Sequence, residues 1–126
     1  MFTFDDKVIA LAMVRTLGFS RAVAVLARSR RVPAVTMREM IHELESKHYL
    51  LDDGVVEVTA GTLQYVEFNQ SSQPIQLTQE YFDSRKPAKQ EAFMEALAVL
   101  GAGGLLRKFK LFVPTKARTY ATKSTG

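Results

Sequence analysis

Cysteine is absent from the 126 residues, which excludes disulfides, cysteine zinc sites and thiol catalysis. Without it the simplest compartment to expect is the cytoplasm. Long apolar runs are missing as well. The stretch Ala96 to Leu106 contains three glycines and falls well short of the roughly 18 residues a membrane-spanning helix needs. A secretory leader is not expected, because Asp5 and Asp6 stand where such a segment carries positive charge. The two histidines, His42 and His48, need further ligands before they can form a metal site. Asp52 and Asp53 are adjacent, so their side chains diverge instead of flanking a substrate. The serines near Arg21 and Arg28 have no base beside them. Neither an enzyme nor a bound cofactor is therefore expected. Acid is also absent from Leu105 to Gly126, a stretch with six basic residues.

What remains is an ordinary folded composition, 47% apolar and 24% charged. The net charge is +4, and it is unevenly placed. Residues 1–69 sum to −1 and residues 70–126 to +5. Such asymmetry favours a polyanionic partner, nucleic acid first and an anionic surface second.

Thr3 is placed to cap a first helix, with Asp5 and Asp6 in the first turn where the helix dipole favours them. Val8 to Val14 is apolar on every face, the pattern of a helix buried all round. In so small a chain that burial calls either for a central position or for a second subunit, which makes this helix a candidate homodimer surface. Gly18 suits the stop, and Ser20 suits the cap of a second helix to about Ser29. Pro33 then interrupts helical geometry. Beyond it Met37, Met40, Ile41 and Leu44 form one apolar stripe on a third helix ending near Lys47. Its start is either Pro33 or Thr36, since Thr36 and Glu39 match a capping box. Tyr49–Leu51 and Val55–Val58 flank Asp52-Asp53-Gly54, a hairpin signal. Thr59 to about Phe68 is expected to be helical, with Leu63 and Val66 inward.

Two short helices joined by a tight turn and followed by a hairpin resemble the winged helix-turn-helix DNA-binding superfamily. The likeness rests on Leu26-Ala27, a turn at Arg31-Val32, and then Met37, Ile41 and Leu44. It continues through Leu44 to Leu50 into the first strand and through Val58-Thr59-Ala60-Gly61 out of the hairpin. It covers roughly residues 4–69. Arg31 and His48 depart from the pattern, standing where such domains often carry glycine. The expected fold is thus α+β and mainly helical. It comprises a winged helix-turn-helix domain over 1–69 and, over 75–126, a C-terminal helix with a basic β-hairpin.

The resemblance implies a third helix that enters the major groove with Arg38 at a base edge. Val35 or Ala34 would meet a thymine methyl if the helix starts at Pro33, and His42 would meet phosphate. Arg28, Arg30, Arg31 and Arg21 surround the second helix and the turn, where backbone contacts fix register. The alternative for Arg38 and His42 is pairing with Glu39, Glu43 or Glu45 on a solvated face. Asp52 and Asp53 make the hairpin tip a poor partner for phosphate, which suits either a scaffold or a protein contact.

In the second half a short helix is expected over Thr78 to Ser84. Pro87 opens another helix to Leu100, with Phe93, Met94, Leu97 and Leu100 at helical spacing. Leu105 to Val113 alternates apolar residues with Lys108 and Lys110. This is either a basic ribbon that grips nucleic acid or a hairpin packed on the body. The leading expectation is a sequence-specific regulator of prokaryotic or viral type that binds double-stranded DNA as a homodimer. The alternative is a non-catalytic winged-helix interaction module binding protein or RNA through its basic C-terminal segment.

Overall fold

The computed structural model describes residues 2–59, 61–68 and 73–101. The expected basic hairpin, with Lys108 and Lys110, lies outside the described residues. Three helices come first: α1 (Phe4–Leu17), α2 (Phe19–Arg30) and α3 (Ala34–Lys47). Four strands follow, β1 (His48–Leu51), β2 (Gly54–Thr59), β3 (Thr62–Glu67) and β4 (Ile75–Gln76). The short α4 (Gln79–Asp83) and α5 (Pro87–Leu100) complete an α+β architecture. The sheet is antiparallel with strand order β1-β2-β3-β4.

Local chemistry sets the helix ends. The Thr3 hydroxyl accepts the Asp6 amide at 3.1 Å, and Asp6 accepts the Thr3 amide at 3.0 Å. Gly18, at φ 89°, both stops α1 and precedes α2. Ser20 therefore lies inside the first turn of α2 and is not its cap, contrary to the sequence expectation. Arg31 ends α2 in the left-handed region, φ 57° and ψ 45°. Its amide reaches Arg28 O at 3.3 Å, and the Val32 amide reaches Ala27 O at 3.0 Å, a Schellman closure. Pro33, extended at ψ 146°, offers its carbonyl to the Met37 amide. Of the two possible starts for α3 the proline is the one used, and Thr36 sits within the first turn.

The helix expected over Thr59 to Phe68 is instead β3. Gly61, at φ 76°, breaks the chain direction, and Thr59 pairs with Thr62 across the connection. Leu63 and Val66 are both buried, as a helix would also require. They reach the interior from opposite faces of a strand, because successive side chains alternate.

That alternation divides the interior in two. Val55 faces α1, α2 and α3, where it joins Leu11, Leu26, Met37, Ile41 and Leu44. Its neighbour Val56 faces the other way, with Leu63, Tyr65, Phe82, Phe93 and Leu97. The sheet is thus covered by α1–α3 on one face and by α4 and α5 on the other. Tyr65 and Phe93 meet edge to face at 5.1 Å between centroids. Helix α1 is not buried all round, since only one side of it is covered. Ala10 and Leu11 are buried, whereas Ile9 is 52% exposed and Leu17 also faces outward. Edge strand β1 is restrained by Arg15, which donates to Leu50 O at 2.8 Å and lies over the Tyr49 ring. Among the described residues no helix is long and apolar enough to cross a membrane.

Candidate nucleic-acid interface

The outer face of α2 is a row of exposed residues at helical spacing: Arg21, Ala24, Val25 and Arg28. Arg21 and Arg28 are seven residues apart, about two turns or ~10 Å along the axis. The left-handed turn then presents Arg31, exposed and with no ion pair among the described residues. Arg30 is placed differently. Its guanidinium pairs with Asp6 and lies over the Phe2 ring, 5.1 Å from the centroid. The Arg30 hydrogen bond, helped by the Thr3 amide, holds the Asp6 carboxyl down to about 2. Arg30 therefore fastens α2 to α1, and among the described arginines expected to hold phosphate it is the one engaged in an ion pair.

Helix α3 shows a clean division of faces. Met37, Ile41 and Leu44 are buried and Met40 is half-buried. Ala34, Val35, Arg38, Glu39, His42, Glu43 and Ser46 are all exposed, on the side away from the apolar stripe. The first turn has neither an acidic residue nor a side-chain cap. The amides of Ala34, Val35 and Thr36 therefore have no intrahelical partner and present the positive end of the helix dipole. Val35, 57% exposed, stands on this turn. Arg38 follows one turn later and has no carboxylate within ion-pair distance among the described residues. Its expected neighbour Glu43 pairs with Lys47 instead, at 3.4 Å.

The His42 and Phe19 rings meet nearly perpendicular, 6.1 Å between centroids. Between Phe19 and the outer face of α3 runs a groove of about 490 Å³, with Arg38 and Glu39 near one end and Ser46 near the other. Phe19 is the member of this surface that the sequence reading missed. It is half-buried and packs in part against the core shared by α1–α3, and its position directly after the helix-breaking Gly18 was the available signal.

Three polar clusters hold the scaffold behind this face. His48 leaves α3 with Nδ1 2.9 Å from Leu44 O and Nε2 2.9 Å from Glu57, which also pairs with Lys7 of α1 at 3.5 Å. The His48 bond holds the Glu57 carboxyl below its usual range, against the effect of burial. At the hairpin tip, burial opposes ionisation of Asp53, but bonds from Lys89 and Tyr65 outweigh it and lower its pKa. Desolvation and the same contact with Asp53 push the Tyr65 hydroxyl well above its ordinary value. Tyr49 donates to Glu95 at 3.0 Å. The tip that carries Asp52 and Asp53 is thereby tied to α5. The two histidines do not converge, and among the described residues no cluster of three metal-binding side chains exists. Comparison with protein-family models, curated proteins and solved structures finds no match to this chain.

Proposed function

We propose that the chain is a winged helix-turn-helix regulator that binds double-stranded DNA sequence-specifically, as a homodimer on a two-fold site. The observation that carries the reading is the uncapped, acid-free start of α3, flanked by the exposed Arg28, Arg31 and Arg38, which have no ion pair among the described residues. A helix N-terminus with free amides suits a phosphate, and a guanidinium one turn on suits a guanine edge. Arg21 and Arg28 extend the same side along α2, as contacts with a backbone strand would require. Glu43 lies more than a turn beyond Arg38 on α3, so an approach through the N-terminal end keeps it away from the groove floor. The exposed Ile9 and Leu17 of α1 offer an apolar surface to a second copy.

Mobility-shift titrations on random duplex, followed by selection from a random pool, test this directly. Affinity should fall with salt, each of Arg21, Arg28 and Arg31 contributing about 0.9 to the log–log slope. Equal affinity for all duplexes at every salt concentration would remove the sequence-specific reading. The groove beside Phe19, flanked by Glu39 and Glu43, favours a second reading, a non-catalytic module that docks a protein there and meets RNA through its basic C-terminal segment. Single-stranded RNA preferred over duplex in the same titration would select it.

A further inference from the structure

Two cavities adjoin along the seam between α1, β1 and α5, and they share Arg15, Tyr49 and Leu50. The smaller, about 230 Å³, has an apolar wall of Leu11, Val14, Leu50 and Val99. The larger, about 430 Å³, is bordered by Asp52, Asp53 and Glu95. Val99 is 62% exposed, more than any other large apolar side chain described, and sits two residues before the helix-ending Gly101. The local charges do not balance. Lys89 answers Asp53, but Asp52 and Glu95 have no ion pair among the described residues. Arg15 and Lys89 stand against Asp52, Asp53 and Glu95 at the larger cavity, so the seam lacks an apolar cover at one end and is one positive charge short at the other.

Immediately beyond Gly101 the sequence supplies both in matching order. Leu105 and Leu106 come first, then Arg107, Lys108 and Lys110, and no acid follows. Reading back along α5 from Gly101, the seam presents Val99 first, then Glu95, and then the tip bearing Asp52. Reach is sufficient, since the seven residues from Gly101 to Lys108 span at most ~25 Å. The whole of α5 back to Ala88 is only ~20 Å long. We propose that this seam is the docking site for the chain's own segment 105–110, with its leucines over Val99 and its cations facing Glu95 and Asp52. The contact would give Lys108 and Lys110 a partner within the molecule in the absence of nucleic acid.

Zero-length carboxylate–amine crosslinking of the full chain, mapped by mass spectrometry, tests the placement. Lys108 and Lys110 should join Glu95 or Asp52, and the yield should drop several-fold between about 0.05 M and about 0.5 M salt, as screened surface pairs do. An equimolar mixture of light and heavy isotope-labelled protein should give crosslinks within one label only. Mixed-label products would assign the seam to a second copy and overturn the proposal, as would crosslinks confined to Glu39 and Glu43 or none at all. A second measurement does not depend on crosslinking chemistry. In the full chain carrying Arg107→Glu, Lys108→Glu and Lys110→Glu, the amide resonances of Val99 and Glu95 should move. Superimposable resonances would overturn the proposal.

Discussion

Replacing Arg31 by glycine separates two properties that this residue combines. Its backbone is left-handed at φ 57° and closes α2 through the bond from Val32 to Ala27 O. A side chain bearing Cβ in that region costs about 1–2 kcal/mol. Glycine removes the cost but gains freedom in the unfolded chain, which offsets roughly 0.4–1 kcal/mol. The guanidinium makes no ion pair among the described residues, so little else is lost on folding. Arg31→Gly should therefore stabilise the protein by about 0.5–1 kcal/mol, raising Tm by roughly 2–4 °C for a chain of this size. Thermal and urea unfolding read this directly. Duplex affinity should move the other way, with the salt slope reduced by about 0.9. Arg31→Ala keeps the backbone strain and loses the charge, so it should show the binding loss without the gain in Tm. If the glycine variant is no more stable than the alanine variant, the account of the turn is wrong. If its stability rises while its salt slope is unchanged, Arg31 does not touch phosphate.

Three further outcomes follow from the same structure. Arg38→Ala should relax preference at one base position by about 1–3 kcal/mol while leaving Tm unchanged, and competition with single-base variants of the selected site measures it. Glu57 has a lowered pKa in the fold, so its contribution is present above its ordinary value and lost as pH falls through the folded one. Urea midpoints between about pH 5 and pH 3 should accordingly fall less steeply in Glu57→Gln than in the wild type, and parallel curves would contradict the pairing. A Cβ at Gly54 would stand 2.5 Å from the Val66 carbonyl oxygen and 2.7 Å from the Tyr65 ring. Gly54→Ala should thus cost roughly 2–3 kcal/mol, and a loss below about 0.5 kcal/mol would refute that crowding.

Where periodicity and end signals agreed, the sequence was readable. The inward set of α3, the stop at Gly18, the hairpin turning near Asp52-Asp53-Gly54 and the helix from Pro87 to Leu100 all follow from local chemistry. Residues 59–68 were misread because Leu63 and Val66 satisfy both a helical spacing of three and a strand buried on its two faces. The pattern Thr62-Leu63-Gln64-Tyr65-Val66, after a glycine, held the strand signal. Tertiary packing decided it, since α5 covers the face that a solvated hairpin would expose. Of the candidate interface, the exposure of Val35, Arg38 and His42 was legible from helix geometry. The diversion of Arg30 to Asp6 was not, because it depends on how α1 crosses α2. The union of Asp53, Tyr65 and Lys89 likewise joins residues 36 positions apart in the chain, beyond any local pattern.

The hold of Arg15 on the Leu50 carbonyl has a consequence for self-association. An outermost strand with vacant acceptors invites another chain to continue the sheet, the usual route to stacking and aggregation. Here a cation occupies one acceptor on the open side of β1, and an incoming strand would have to displace it without offering a carboxylate in return. Growth by strand addition is disfavoured at that border.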